Sequence, residues 1–339
     1  MTEVTTEAVK ALLETETSLR LRPRYEGSNI NTWIGFKHVN YMVEEAVLEH
    51  FRGSGLGSRF LFEEHGLGVD VVDLDTRILH AFHQDDEARA LVVPRTKDDQ
   101  TLLGFDVTLY VERDGKELKA VTSKVKVSLR IDGYLEGVVV PAPLARFAVA
   151  ALGGFAEAGP HHGTEVTEAA NTALSAGRGT VGEDPVLAQL IGGDNAFGWK
   201  WRIPYPYCHF NERLALSGYL RQVEEVVDLF LADRGISIKT LLDDRKWIPV
   251  VPRSHIQFLD EALMEEDLYT VFTVEEVFKD FTYTARTDFY VVRDGRLVQT
   301  ATGRITHGYA VFQRNRSDWS LVSFDDHVIR AFKGESAAG

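Results

Sequence analysis

The 339 residues are 44% hydrophobic and 26% charged, a balance that supplies a buried core and excludes a disordered chain. Lys and Arg number 37 against 51 Asp and Glu, and the resulting formal net charge of −14 argues against a nucleic-acid binder, which needs a basic surface or stripe. The single cysteine, Cys208, excludes an internal disulfide and a multi-cysteine zinc site and fits a reducing, cytoplasmic setting.

In chain order, Met1 to Lys10 is polar and acidic, without the basic-then-apolar pattern of a secretory signal, and residues 1–19 read as a tail. Val39, Val43, Ala46, Val47 and His50-Phe51 recur at helical spacing, and Gly53 and Gly55 end that segment. Strand-like runs follow at Val69 to Phe82, Ala88 to Val93, Leu103 to Glu112 and Leu118 to Ile131, with Asp114-Gly115 as a hairpin turn between the last two. Phe147 to Ala156, the most apolar short run, is far below membrane-spanning length. Gly153 to Gly182 is rich in Gly, Ala, Ser and Thr and reads as a linker with one or two short helices. Beyond it, aromatic-rich Trp199 to Tyr207 reads as a core strand. Leu216, Tyr219-Leu220, Val223, Val226-Val227 and Phe230-Leu231 make a second helical stripe that stops at Gly235.

These elements repeat. Glu44-Glu45-Ala46-Val47 meets Glu224-Glu225-Val226-Val227 at an offset of 180, and Tyr110 to Lys116 meets Tyr290 to Arg296 at the same offset. Thr122, Lys124 and Val125 meet Thr302, Arg304 and Ile305; Tyr25 and Asn31 meet Tyr205 and Asn211. Self-similarity in one phase over most of each half is the mark of a duplicated domain. The expected organisation is a tail at 1–19, copy one at 20–135, a linker at 136–195 and copy two at 196–335. Two fused copies can supply the dimer that a single copy would form, so the chain is expected to be a monomer with an internal pseudo-dimer, or a homodimer.

A long central helix followed by antiparallel strands that end in a tight hairpin resembles the hotdog fold. Lys37-His38-Val39-Asn40-Tyr41 with Glu44-Glu45-Ala46 is similar to the helix-start signature of acyl-CoA and acyl-carrier-protein thioesterases, and Gly218 to Glu224 resembles its Tyr-to-Glu part. The resemblance implies an α+β double hotdog, each copy an antiparallel sheet wrapped round its helix, and an enzyme of thioesterase type. It covers about two-thirds of the chain. Many relatives carry a catalytic Asp in the loop before the helix, and counting nine residues back from Asn40 finds Asn31 instead. An amide is no general base, although it can hydrogen-bond a thioester carbonyl or orient water, as in some polyketide-associated relatives. No Asp-x-Asn-Pro-x-His run of the hydratase branch is found, which disfavours enoyl hydration.

The expected catalytic residues are His38, whose ordinary pKa lies near neutrality, Asn31, and Glu45 on the helix, with Glu44 a weaker candidate. Gly35 and Asn40 at the helix start, and His209, Asn211 and Arg213 in the matching loop of copy two, are expected to bind substrate. Arg213 stands out because a guanidinium can hold a carboxylate or phosphate. Cys208 beside His209 reads as a buried thiol, since strand neighbours face opposite ways. His161-His162 with His80, His83, His255 or His307 fixes no metal geometry, and neither metal nor cofactor is expected.

The leading reading is hydrolysis of an acyl thioester of CoA or acyl carrier protein, with the acyl chain held between the copies. An acidic chain would need a local basic mouth for such a ligand. A second reading is conjugate addition of an amino acid such as glycine to an unsaturated thioester, with Arg213 as the carboxylate clamp. The third is a non-catalytic acyl- or carrier-binding protein. No nucleic acid or membrane partner is expected.

Overall fold

A computed structural model describes residues 4–170, 178–179, 184–192, 195–208, 210–311 and 320–335. The chain divides into two compact units, Met1–Phe155 and Ala156–Gly339. Among the described residues no helix is long and apolar enough to cross a membrane.

The first unit comprises α1 (Thr6–Glu14), β1 (Thr17–Leu21), α2 (Phe36–Gly53), α3 (Ser58–His65), β2 (Leu67–Ile78), β3 (Ala88–Pro94), β4 (Leu103–Arg113), β5 (Lys116–Ile131) and β6 (Ala148–Val149). Its strands lie in the order β1-β3-β4-β5-β2, all antiparallel, with β6 parallel on β5. The stripe Val39, Val43, Ala46, Val47 and Phe51 turns the buried face of α2 onto this sheet. The stretch assigned to a tail is folded: Val9 and Leu12 of α1 are buried, and β1 pairs with β3 from Thr17↔Val92 onward. His50 ties it down. Its Nε2 bonds the carbonyl of Leu12 at 2.9 Å and its Nδ1 bonds Thr17 Oγ1 at 2.7 Å, so burial of this imidazole costs little hydrogen bonding.

The second unit comprises β7 (Arg178–Gly179), α4 (Pro185–Ile191), β8 (Ala196–Arg202), α5 (Leu216–Asp233), α6 (Ile238–Arg245), β9 (Trp247–Phe258), β10 (Asp267–Phe278), β11 (Thr282–Arg293), β12 (Arg296–Val311) and α7 (Asp326–Phe332). Its strand order is β9-β12-β11-β10-β8-β7. Of the aromatic run Trp199 to Tyr207, only the first part is core strand. Trp199 and Trp201 are buried on β8, whereas Pro204 breaks the strand into a single 3₁₀ turn that leaves Tyr205 exposed. Part of the linker assignment, Gly153 to Gly182, lies outside the described residues; α4 is one short helix within 136–195, capped by Asp184.

The repeat extends to backbone detail. α2 and α5, α3 and α6, β2 and β9, and β5 and β12 all begin and end 180 residues apart. A register shift falls between Leu109 and Tyr110 in one unit and between Phe289 and Tyr290 in the other. Asp114-Gly115 and Asp294-Gly295 both take positive φ, as a type I′ hairpin turn requires.

One buried group distinguishes the second unit's core. His307 stacks on Tyr283 with centroids 4.8 Å apart, and burial pushes its pKa down to about 3. The folded state therefore holds it neutral while the unfolded chain protonates it near 6.5, so its contribution to stability is present above 6.5 and is lost as pH falls toward 3. His307→Val, which installs the residue that Val127 provides in the first unit, is expected to flatten the decline of stability between pH 6.5 and 4 in urea unfolding. An unchanged pH slope would contradict this.

Candidate active site

The loop between β1 and α2 is built by backbone bonds that recur in both units. In the first, Ser28 bridges Ile34 and Trp33 bridges His83, with Ile34 N–H donating to Phe82 O and Gln84 N–H to Thr32 O, both at 2.8 Å. Arg113 holds the opposite wall by donating to Asp86 at 2.5 Å and to the Ala81 carbonyl at 3.1 Å. In the second unit Arg213 bridges Leu263, Leu214 N–H donates to Ala262 O, and Arg293 bonds Glu266 and the Glu261 carbonyl. The frame is duplicated; its side chains are not.

On the first unit's frame, Gly35 is the N-cap of α2, and the first-turn N–H groups of Phe36, Lys37 and His38 have no acceptor within the helix itself. The N–H of Gly35 itself is spent on the Gly27 carbonyl at 3.0 Å, so the donors near this point come from the next residues. His38 is 8% exposed, and its Nε2 lies 3.6 Å from Oε1 of Glu26. Tyr41, one turn on, meets its ring edge-on at 5.1 Å. Gly27 makes the ring's place: a Cβ there would stand 2.9 Å from His38 Cγ.

Asn31 has φ of 73°, the left-handed region that Asn tolerates better than most residues. Asn211 does a different job, its Oδ1 accepting the N–H of Arg213 at 2.8 Å in an Asx turn. Turn chemistry thus accounts for the amide at both positions. Arg213 is buried, with Nε 4.0 Å from Glu261 Oε1, so its charge faces an internal carboxylate and not an open pocket. His209 lies outside the described residues. Cys208 is buried, and burial pushes its thiol up to about 11, which makes it an inert side chain.

Asn40 is wholly buried. Thr76 Oγ1 donates to its Oδ1 at 2.6 Å and lies 2.9 Å from Ser123 Oγ, a polar triad beneath the helix. The corresponding residues of the second unit are Leu220, Ile256 and Gly303, so the same place there is apolar. Glu45 is exposed and faces Arg52 at 3.7 Å, on the helix's solvent side. Glu44 is the half-buried member of the pair, and burial, followed by Glu45 and Asp70, pushes its carboxyl up to about 7. Six residues of helix put Glu44 roughly 9 Å along the axis and about 120° around it from His38. The structure therefore brings Glu26 and Gly27 to His38 and sets Asn40 and Glu44 on another flank of α2.

Glu44 protonates near 4.5 when unfolded and near 7 when folded, so it penalises the folded state increasingly as pH rises through that window. Glu44→Gln is expected to stabilise the protein by about 1–3 kcal/mol at pH 8 and by nothing at pH 4. Urea unfolding at the two pH values checks this, and a gain equal at both would contradict it.

The nearest signals that sequence reading passed over are Glu26, Gly27, Thr76 and Ser123. Thr76 and Ser123 were detectable as polar residues on inward positions of otherwise apolar strands; nothing in the spacing of Glu26 pointed to His38.

Residues 204–332 match the family profile described as Thioesterase-like superfamily. The chain has the double hotdog fold. A putative oleoyl thioesterase from Lactobacillus plantarum superposes with a TM-score of 0.54 at 10% identity, over 91% of this chain and 100% of that one. The 12:0-ACP thioesterase from Umbellularia californica gives a TM-score of 0.53 at 10% identity, over 87% of this double hotdog and 94% of the enzyme. At such identity the likeness is one of fold. No curated protein matches the sequence. The profile match lies in the second unit, whereas the His38 constellation lies in the first.

Proposed function

We propose that this double hotdog hydrolyses an acyl thioester of CoA or acyl carrier protein, and that the working site is at the start of α2. The observation that carries the reading is His38, in the first turn of α2 and 3.6 Å from the Glu26 carboxylate. A thioester oxygen placed at the first-turn N–H groups would have its developing negative charge stabilised by those donors and by the helix dipole. His38 would take a proton from water as its oxygen attacks the carbonyl carbon, and Glu26 would stabilise the imidazolium. Collapse of the tetrahedral intermediate breaks the C–S bond; the thiolate leaves and takes up the proton. Gly218 stands where His38 does in the second unit, which supports one working site per chain.

The conjugate-addition reading needed Arg213 as a clamp for an amino-acid carboxylate. With that guanidinium buried beside Glu261, no feature of the fold favours it over hydrolysis.

The test is to incubate saturated and 2-enoyl thioesters with and without glycine and to weigh the products. Free acid from the saturated ester, independent of glycine, is expected. A glycine adduct from the enoyl ester would replace hydrolysis by addition, and no product from any ester would leave the non-catalytic reading.

A further inference from the structure

In a chain of net charge −14, the segment leading into the His38 loop carries three arginines at alternate positions and no acid between them: Arg20, Arg22 and Arg24. Alternation on an extended chain sends all three to one side. The side chains of Arg20 and Arg22 are 77% and 70% exposed, and Arg24 is exposed as well. One carboxylate, Glu87, serves the first two, bonding Arg20 and lying 3.1 Å from Arg22 Nη2. Those two guanidiniums hold the Glu87 carboxyl below its ordinary range, Arg20 more than Arg22. Arg89, cross-strand from Arg20, is taken by Glu117 at 2.6 Å. The acid closest along the chain is Glu26, which faces His38. The row thus retains positive charge after its local pairing is counted.

Its position is as informative as its sign. Arg24 precedes the 3₁₀ turn Tyr25–Gly27, whose Glu26 and Gly27 touch His38, and Tyr25 between them is 82% exposed. From Arg22 to Glu26 the chain spans at most about 14 Å, less than an extended pantetheine arm. The second unit has dismantled the same row. Lys200 is buried between Asp184 and Asp267, each at 3.3 Å, Arg202 pairs with Glu265 at 2.9 Å, and Pro204 stands in place of Arg24. The exposed row and the histidine therefore occur together in one unit and are both missing from the other.

We infer that Arg22 and Arg24, with Arg20 behind them, bind the phosphates at the nucleotide end of a coenzyme A thioester whose acyl–sulfur end lies at His38. The inference rests on the thioester reading above and adds the thiol carrier. Guanidiniums suit phosphate oxygens because their paired donors match the geometry. A narrow row on an otherwise acidic chain suits a compact polyphosphate better than an acidic carrier protein, whose wide surface would meet the remaining negative charge.

Adenosine 3′,5′-bisphosphate, titrated calorimetrically into the full-length protein, tests the subsite without requiring turnover. Binding that weakens with salt, and falls at least tenfold in the Arg22→Ala/Arg24→Ala double variant, is expected. The same variant should raise KM for an acyl-CoA at least tenfold with the loss falling on KM and not kcat, while KM for the matching acyl-pantetheine stays put. Equal binding by wild type and variant, or none by either, would overturn the inference, as would equal losses on the CoA and pantetheine esters. Loss confined to acyl carrier protein esters would also overturn it, by making the row a protein-docking surface. Arginine-dependent bisphosphate binding with no hydrolysis of any ester would uphold the subsite while removing the hydrolytic reading.

Discussion

His38→Ala is expected to lower kcat for a saturated acyl thioester by about 10²- to 10⁴-fold, the usual range for loss of a positioned acid–base group. The loss should fall on kcat more than on KM, because the helix N-terminus, built from backbone, would still receive the carbonyl. His38 is nearly buried and packs against Gly27 and Tyr41, so a folding defect is the obvious rival explanation. His38→Gln separates the two. It keeps polar volume in the ring's place but cannot take a proton at neutral pH, and should be as slow as the alanine variant while unfolding at the wild-type urea midpoint. Glu26→Gln should give an intermediate loss, since it removes the charge facing the imidazole and leaves the imidazole itself. Full activity in His38→Gln would contradict the assignment.

The second large effect concerns the buried triad. Asn40→Leu is expected to destabilise the protein by roughly 1–3 kcal/mol, the cost of leaving the buried Thr76 hydroxyl short of its acceptor. The triple change Asn40→Leu, Thr76→Ile, Ser123→Gly writes into the first unit what the second already contains at Leu220, Ile256 and Gly303. Removing all the polar partners together avoids the orphaned group, so the triple variant should cost less than the sum of its single changes, as coupled neighbours do. Urea unfolding of the three single variants and the triple checks this. Strict additivity would show that the hydroxyls and the amide do not act as a unit. Because the triad sits beneath the turn after His38, activity of the triple variant would also report whether these groups help position the start of α2.

Much of the architecture was legible because it rests on strong local signals. The apolar stripe of α2, the Asp-Gly hairpins and the 180-residue phase all follow from periodicity and turn chemistry, and the structure repeats them down to matching register shifts. The tail was misjudged for an identifiable reason. Thr6–Glu14 does carry an apolar pair at helical spacing, Val9 and Leu12, but at nine residues it is too short to stand out by periodicity, and the His50 hydrogen bonds and the edge pairing of β1 that hold it leave no local mark. At the candidate site, the place of His38 in the first turn of α2 was readable from the helix pattern. The choice between Glu44 and Glu45 was not, because neighbouring helix residues differ in burial by a rotation that only packing decides. Asn31 and Asn211 are matched by the repeat, yet one serves a left-handed backbone and the other an Asx turn. Arg213 looked available because its carboxylate partner is 48 residues away in sequence.

The central claim is that the first hotdog unit carries the hydrolytic site and the second does not. Acid release from a saturated acyl-CoA in ¹⁸O-water, measured by mass for the wild type, His38→Gln and Asn211→Ala, tests it most directly. The account predicts one ¹⁸O atom in the acid, near-complete loss of release in His38→Gln, and retained release in folded Asn211→Ala. Release that survives in His38→Gln and disappears in Asn211→Ala would place the chemistry in the other unit and contradict the account.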